Sequence, residues 1–182
     1  MMLVRHGQSL FNLHFTKTRI DPGIEDPELT ELGLEQALAA AKVLERSRVR
    51  RVIASPYTRA IQTAEVICRH LDLTFDIDPI VGERAAFACD VGCSPQALAE
   101  RFPHLAVDHL PTRWWPEMEE SEAALNARCR RFADATEAVE DRDHLLVVSH
   151  WGFIRGLTGA TVTNGTVVRF HRDGAHEVVH VP

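Results

Sequence analysis

The chain reads as an α/β protein with a mostly parallel sheet covered by helices on both faces and closed by an antiparallel edge. Two observations carry that reading. Short apolar runs, clearest at Met2-Leu3-Val4 and Leu145-Leu146-Val147-Val148, alternate with segments patterned at helical spacing, and the tail reads as a hairpin.

Met2 to Val4 forms the first strand and runs directly into Arg5-His6-Gly7. A helix opens at Leu29-Thr30-Glu31-Leu32-Gly33, with Thr30 as N-cap and Leu34, Ala37, Leu38, Ala41 and Leu44 as one apolar stripe. Val49 to Ala54 is a short buried strand. Ser55 is expected to cap the next helix, with Pro56 in its first turn, where a missing N–H costs nothing. Tyr57, Ala60, Ile61, Ala64, Ile67 and Leu71 supply that helix's buried face, and Arg59 stands off the stripe near its start. Leu73 to Ile77 is the next strand, and residues 79–120, with five prolines, Trp114 and Trp115, are expected to be irregular. A helix from Ser121 spaces Leu125, Cys129, Phe132, Thr136 and Val139 three and four apart. The strand through Val148 leads into a short helix, Trp151 to Thr158, and the hairpin pairs Thr166–Phe170 with Glu177–Val181 around Asp173-Gly174. No repeat or linker divides the chain, so one domain is expected over residues 1–182, with 84–120 as a lid or side wall.

Composition narrows the function classes. At 182 residues, 45% hydrophobic and 25% charged, the chain has the make-up of an ordinary soluble domain. No stretch approaches a membrane span, and the first apolar run ends at Arg5 without a signal-peptide core, so a cytoplasmic location is expected. A net charge of −6 argues against nucleic acid held on a general basic face. The basic runs at 46–51 and 128–131 read as solvated surface. Four cysteines are too few for a secreted disulfide framework; Cys68 and Cys129 fall on apolar helix faces, and Cys89-x-x-x-Cys93 lacks a second ligand pair, so no metal is expected.

The chemistry concentrates at strand ends. Arg5-His6 follows one strand, His150 follows another, and Arg59 lies just inside the helix after a third. Open α/β sheets place ligands there. A phosphate monoester dianion repels nucleophiles, so its equatorial oxygens must be neutralised while the attacker is held in line. Arg5, Arg59 and a protonated His150 can supply that charge. His6 is then free to attack, provided its other ring nitrogen donates to an acceptor that the sequence does not identify. Gly7 either admits a ligand close to the backbone or serves the turn.

Taken together, R-H-G-x-S-x-x-N at 5–12, S-P-x-x-R-A-x-Q-T-A at 55–64 and V-V-S-H at 147–150 resemble the histidine phosphatase superfamily, the phosphoglycerate mutase-like proteins. The resemblance spans nearly the whole chain. It implies a three-layer α/β/α sandwich and a phosphohistidine on His6, formed without metal or cofactor. It implies that Arg5, Asn12, Arg59 and His150 bind phosphate, and that a carboxylic acid protonates the leaving group. Glu83 matches that acid's place, although Val81-Gly82 departs from the bulky residue or arginine usual before it, and Asp90 is the second candidate. Asn12 can also be read as a cap or turn residue. Trp151 stands where the family commonly has glycine. The stretch H-W-G-F-I-R, with C-D-x-G at 89–92 and W-W-P at 114–116, looks like a branch also met among plant phosphoglycerate mutase-like proteins.

The expected activity is hydrolysis of a small phosphorylated metabolite. A mutase is the runner-up, disfavoured because the segment from Glu83 to His150 is shorter than the insertion that cofactor-dependent mutases carry. A non-catalytic phosphate-binding protein is the third reading; it would be marked by a missing nucleophile or phosphate arginine, and neither is missing. Arg84, Arg113, Lys17 and Arg19 are candidates for a second anionic group, and Phe15, Phe87 and Trp114 for an apolar wall. The substrate and the oligomeric state are not encoded in any motif.

Overall fold

The structure, a computed structural model, describes residues 1–182. Its strands are β1 (Met2–Arg5), β2 (Arg51–Ala54), β3 (Asp76–Ile77), β4 (Leu145–Ser149), β5 (Val167–Phe170) and β6 (His176–His180). They lie side by side as β3-β2-β4-β1-β5-β6. The first four in that order are parallel, and β5 and β6 form the antiparallel edge. The helices are α1 (Leu10–Thr18), α2 (Glu31–Leu44), α3 (Thr58–Leu71), α4 (Pro95–Arg101), α5 (Glu122–Glu137) and α6 (Trp151–Thr158).

Strand residues alternate between two cores, which is why the central strands are apolar throughout. Met2, Val4, Val52, Ala54, Leu146 and Val148 pack on one face with α2 and α3. Leu3, Ile53, Leu145, Val147 and Val168 pack on the other with α5 and α6. The result is the three-layer α/β/α sandwich. The carboxyl ends of β2, β4 and β1 therefore lie next to one another, and the segments leaving them carry Arg59, His150 and Arg5-His6.

Several local expectations need correction. In α2, Thr30 caps as expected, but the buried face is Gly33, Ala37, Ala40, Ala41 and Leu44, leaving Leu34 and Leu38 exposed. The face is set by close approach, because a Cβ on Gly33 would lie 2.2 Å from the Gln8 carbonyl oxygen and one on Gly7 would lie 2.1 Å from that of Gly33. Gly7 thus serves backbone packing against α2. The cap of α3 is not Ser55. The helix starts at Thr58, and the buried Asp26 carboxylate accepts its N–H at 2.9 Å and its hydroxyl at 2.6 Å.

The strand expected from Leu73 is shortened to Asp76–Ile77, and the segment 79–120 contains α4. Leu98, Phe102, Val107, Leu110 and Trp114 of that segment enter the core beside α2 and α3. Trp114 is buried edge-on to Tyr57, 4.7 Å between ring centroids, so it belongs to the core and not to an apolar wall. Arg128 is also buried, against the expectation that the 128–131 run is solvated. α1 had no apolar stripe to announce it. A reciprocal capping box between Ser9 and Asn12 starts it, and Phe11 is its one buried side chain.

Candidate active site

His6 follows β1, where its backbone N–H continues the pairing with β4 by donating to the Ser149 carbonyl at 2.9 Å. Its ring is buried, and Nδ1 lies 2.7 Å from the Gly7 carbonyl oxygen. A carbonyl only accepts, so Nδ1 carries the proton and Nε2 keeps its lone pair. That carbonyl is the acceptor which the sequence did not identify. Burial foremost, then Arg59 and Arg5, hold the imidazole pKa well below 6.5, against the raising effect of the Gly7 carbonyl.

His150 leaves β4 with its ring centroid 5.0 Å from that of His6. Its Nε2 is 2.8 Å from Ser55 Oγ, and its buried Nδ1 has no protein partner. Burial, followed by Arg59, His6 and Arg5, drives this ring toward its neutral form. The protein's own groups therefore do not produce the protonated His150 expected from sequence.

Two arginines supply fixed charge. Arg5 donates to the Val162 carbonyl at 2.7 Å, and its buried Nε has no protein partner. Burial lowers its pKa to about 10, with Glu83 raising and Arg59 lowering it, so it remains a cation at neutral pH. Arg59 is 2% exposed and lies over the Tyr57 ring, 4.4 Å from guanidinium carbon to centroid. It donates to the Cys89 carbonyl at 2.7 Å and to the Asp90 carboxylate at 3.1 Å. Burial opposes the Arg59 charge, but Cys89, Asp90, Tyr57 and Asp26 together outweigh it and raise the pKa.

The two candidate acids differ sharply. Asp90 is 2% exposed and pairs with Arg59, while its other oxygen accepts the N–H groups of Ala86 and Phe87, each at 3.0 Å. Glu83 is half-buried, and only Oε1 is engaged, by the N–H groups of Arg84 at 2.8 Å and Gly152 at 2.7 Å. Burial and then Asp90 raise its pKa above the usual carboxylate range, opposed by the Arg84 N–H, Arg59 and Arg5.

Asn12 is used locally. Its Oδ1 accepts from the Ser9 N–H and hydroxyl and from Asn164 Nδ2. Asn164 also donates to the His6 and Gly7 carbonyls at 3.2 and 3.3 Å, tying the loop before β5 to the turn after β1. Thr63 completes that support by accepting the Gly7 N–H at 3.1 Å and donating to the Arg59 carbonyl at 2.7 Å. Sequence reasoning missed Ser55, Asn164 and Thr63 as site residues. Ser55 and Thr63 left a signal, both inside the motif at 55–64, and Asn164 left none.

Around this cluster, Phe87 packs on Phe11 and Phe15 with centroids 5.4 and 5.0 Å away, and Arg155 lies over Trp151. The four cysteines are free, and no three His, Cys, Asp or Glu side chains gather in a group that could hold a metal ion.

An imidazole with a free Nε2, the buried Arg59, the half-buried Arg5 and the Glu83 carboxylate gather where the chain leaves neighbouring strands. Residues 1–176 match the histidine phosphatase superfamily (branch 1). The chain belongs to that superfamily. Bifunctional protein Rv2228c of Mycobacterium tuberculosis is 32% identical over 177 residues, which cover 95% of this chain and 47% of that protein. A 2,3-bisphosphoglycerate-dependent phosphoglycerate mutase of Bartonella tribocorum is 42% identical over 71 residues, 39% of this chain and 32% of the mutase. The chain thus spans less than half the length of these relatives. Among solved structures, the mycobacterial glucosyl-3-phosphoglycerate phosphatase superposes with a TM-score of 0.64 at 22% identity, covering 98% of this chain and 95% of that one. The protein histidine phosphatase SixA complexed with tungstate gives 0.56 at 17% identity, over 97% and 92%. These two share the fold.

Proposed function

We propose that this histidine phosphatase superfamily member is a metal-independent phosphatase for small phosphomonoesters, acting through a phosphohistidine on His6, as a single domain with 84–120 as a side wall. The observation that carries the reading is the His6 Nδ1 to Gly7 carbonyl bond at 2.7 Å, which leaves a lone pair on Nε2 beside the buried Arg59 and the half-buried Arg5. Arg5 and Arg59 neutralise the equatorial oxygens, with Asn12 Nδ2, the end of that amide not spent on Ser9 and Asn164, as a further donor to phosphate. His6 Nε2 attacks phosphorus while the ester P–O bond breaks, and the leaving oxygen takes the proton of the Glu83 carboxylic acid. Water then attacks the phosphohistidine, giving its proton to the Glu83 carboxylate as the P–N bond breaks. The raised pKa of Glu83 suits the acid step, and the lowered pKa of His6 keeps the nucleophile unprotonated. A phosphate dianion beside His150 favours the imidazolium, so that residue becomes a third cation when substrate binds.

Relatives of both kinds occur: alongside the Bartonella mutase stands the fructose-2,6-bisphosphatase TIGAR of Xenopus laevis, 39% identical over 88 residues covering 46% of this chain and 31% of that protein, and structural neighbours named as phosphatases support hydrolysis. The test is release of p-nitrophenol from p-nitrophenyl phosphate in the presence of a chelator. The intact protein should turn over, and His6→Ala should not. Equal release by both would remove His6 from the mechanism.

A further inference from the structure

Residues 80–85 belong to no regular element beyond a single turn at Pro79–Val81, so their carbonyls must find partners elsewhere. Four in succession are taken by side chains. Arg128 Nη1 donates to the Ile80 and Gly82 carbonyls at 2.9 and 2.8 Å, and Nη2 to that of Glu83 at 3.2 Å. Ser149 Oγ donates to that of Val81 at 2.6 Å. The remaining Arg128 donors face Glu120, with Nε to Oε1 at 3.2 Å and Nη2 to Oε2 at 2.8 Å. Five bonds thus match the five N–H groups of a guanidinium. Both side chains of the pair are less than a tenth exposed.

Glu120 is stitched to the same segment through its backbone, donating to the Ala85 carbonyl and accepting from Arg84 Nε, each at 2.9 Å. Against the opposite side of Glu83 lies Gly152, where a Cβ would meet Oε1 at 2.3 Å. The carboxylate is therefore confined between α6 and a backbone that α5 holds through one guanidinium.

We propose that Arg128, oriented by Glu120, is a positioning residue for proton transfer by Glu83. The inference rests on Glu83 being the proton donor. Lysine cannot replace the arginine, because a point charge does not span three carbonyls and a bidentate carboxylate at once. Proton transfer needs its donor within hydrogen-bond reach of the leaving oxygen, so loosening the 80–85 backbone slows that step in particular.

The experiment compares kcat/KM over aryl phosphates running from p-nitrophenyl to phenyl, for the intact protein, Glu83→Gln, Arg128→Lys and Glu120→Gln. Thermal unfolding is followed in parallel. Arg128→Lys should lose at least tenfold on phenyl phosphate and under threefold on p-nitrophenyl phosphate, the pattern expected of Glu83→Gln. Added to Glu83→Gln, it should steepen the leaving-group dependence no further. Glu120→Gln keeps the acceptor shape and should shift the same way by a smaller factor, which preserves the test if Arg128→Lys does not fold. Uniform losses across the esters in both variants, or none, would overturn the positioning role and leave a purely structural pair. A flat leaving-group response in Glu83→Gln itself would instead overturn the assignment of the donor.

Discussion

The Asp90 carboxylate lies 3.1 Å from the Arg59 guanidinium and spends its second oxygen on two backbone N–H groups of its own loop. Its backbone carbonyl also accepts the Tyr57 hydroxyl at 2.7 Å. A carboxylate so occupied orients the Arg59 guanidinium, the cation proposed to hold phosphate, and has no oxygen free to trade protons. Asp90→Asn should therefore raise KM for phosphomonoesters about ten- to a hundredfold, the loss of a charge-assisted bond worth roughly 1.5–3 kcal/mol. Its leaving-group dependence should stay that of the intact protein. Steady-state kinetics on two esters checks this, and a selective loss on the poorer leaving group would make Asp90 the acid.

Glu83 should behave in the opposite way. Glu83→Gln is expected to lower kcat/KM for phenyl phosphate about 10²-fold or more, a typical contribution of general acid catalysis, while p-nitrophenyl phosphate falls much less.

The pH profile follows from the pKa directions. His6 and His150 lie below 6.5, so Nε2 of His6 stays unprotonated and activity persists well into the acid range. Glu83 lies above 4.5, so the acid form needed for leaving-group protonation survives past that value and is lost as pH rises through the native pKa. A profile of kcat/KM on phenyl phosphate should show an acid-shifted bell, and Glu83→Gln should remove its basic limb.

The same shifts have a cost in stability. With its native pKa raised, Glu83 binds more protons folded than unfolded, so it subtracts stability as pH climbs above 4.5. Glu83→Gln keeps an oxygen for the Arg84 and Gly152 N–H groups and should unfold at higher temperature than the intact protein at pH 7, but not at pH 4. The melting curves at the two pH values decide it.

Gly33 is far from any phosphate contact in sequence yet backs the turn that carries His6. Gly33→Ala drives a Cβ to within 2.2 Å of the Gln8 carbonyl oxygen. Overpacking of this kind costs about 1–3 kcal/mol, or a fall of about 3–10 °C in melting temperature for a chain of this size. Differential scanning calorimetry reads this directly.

The residues legible from sequence are those at which an apolar run breaks into chemistry. Arg5, His6 and His150 stand at the carboxyl ends of strands that their own neighbours define, and Arg59 stands one turn into a helix. Support for those residues was not legible, because it comes from across the chain. Ser55 and His150 are separated by 95 positions, and Asn164 and Gly7 by 157. Asp26 caps a helix 32 residues later, displacing the serine that local rules favour. The sequence of Arg128 and its neighbours predicts surface, since a charged residue in a basic run is normally solvated. Its burial follows only once the unpaired carbonyls of 80–83 are brought against α5. α1 has no apolar stripe and is defined by a capping box, so its periodicity does not mark it.

Trapping the covalent intermediate tests the central claim most directly. Brief reaction with radiolabelled phosphomonoester, an alkaline quench and peptide mapping should place an acid-labile, base-stable phosphate on the peptide containing His6, with no label in His6→Ala. Label on another residue, or turnover without any phosphoenzyme, would contradict the account.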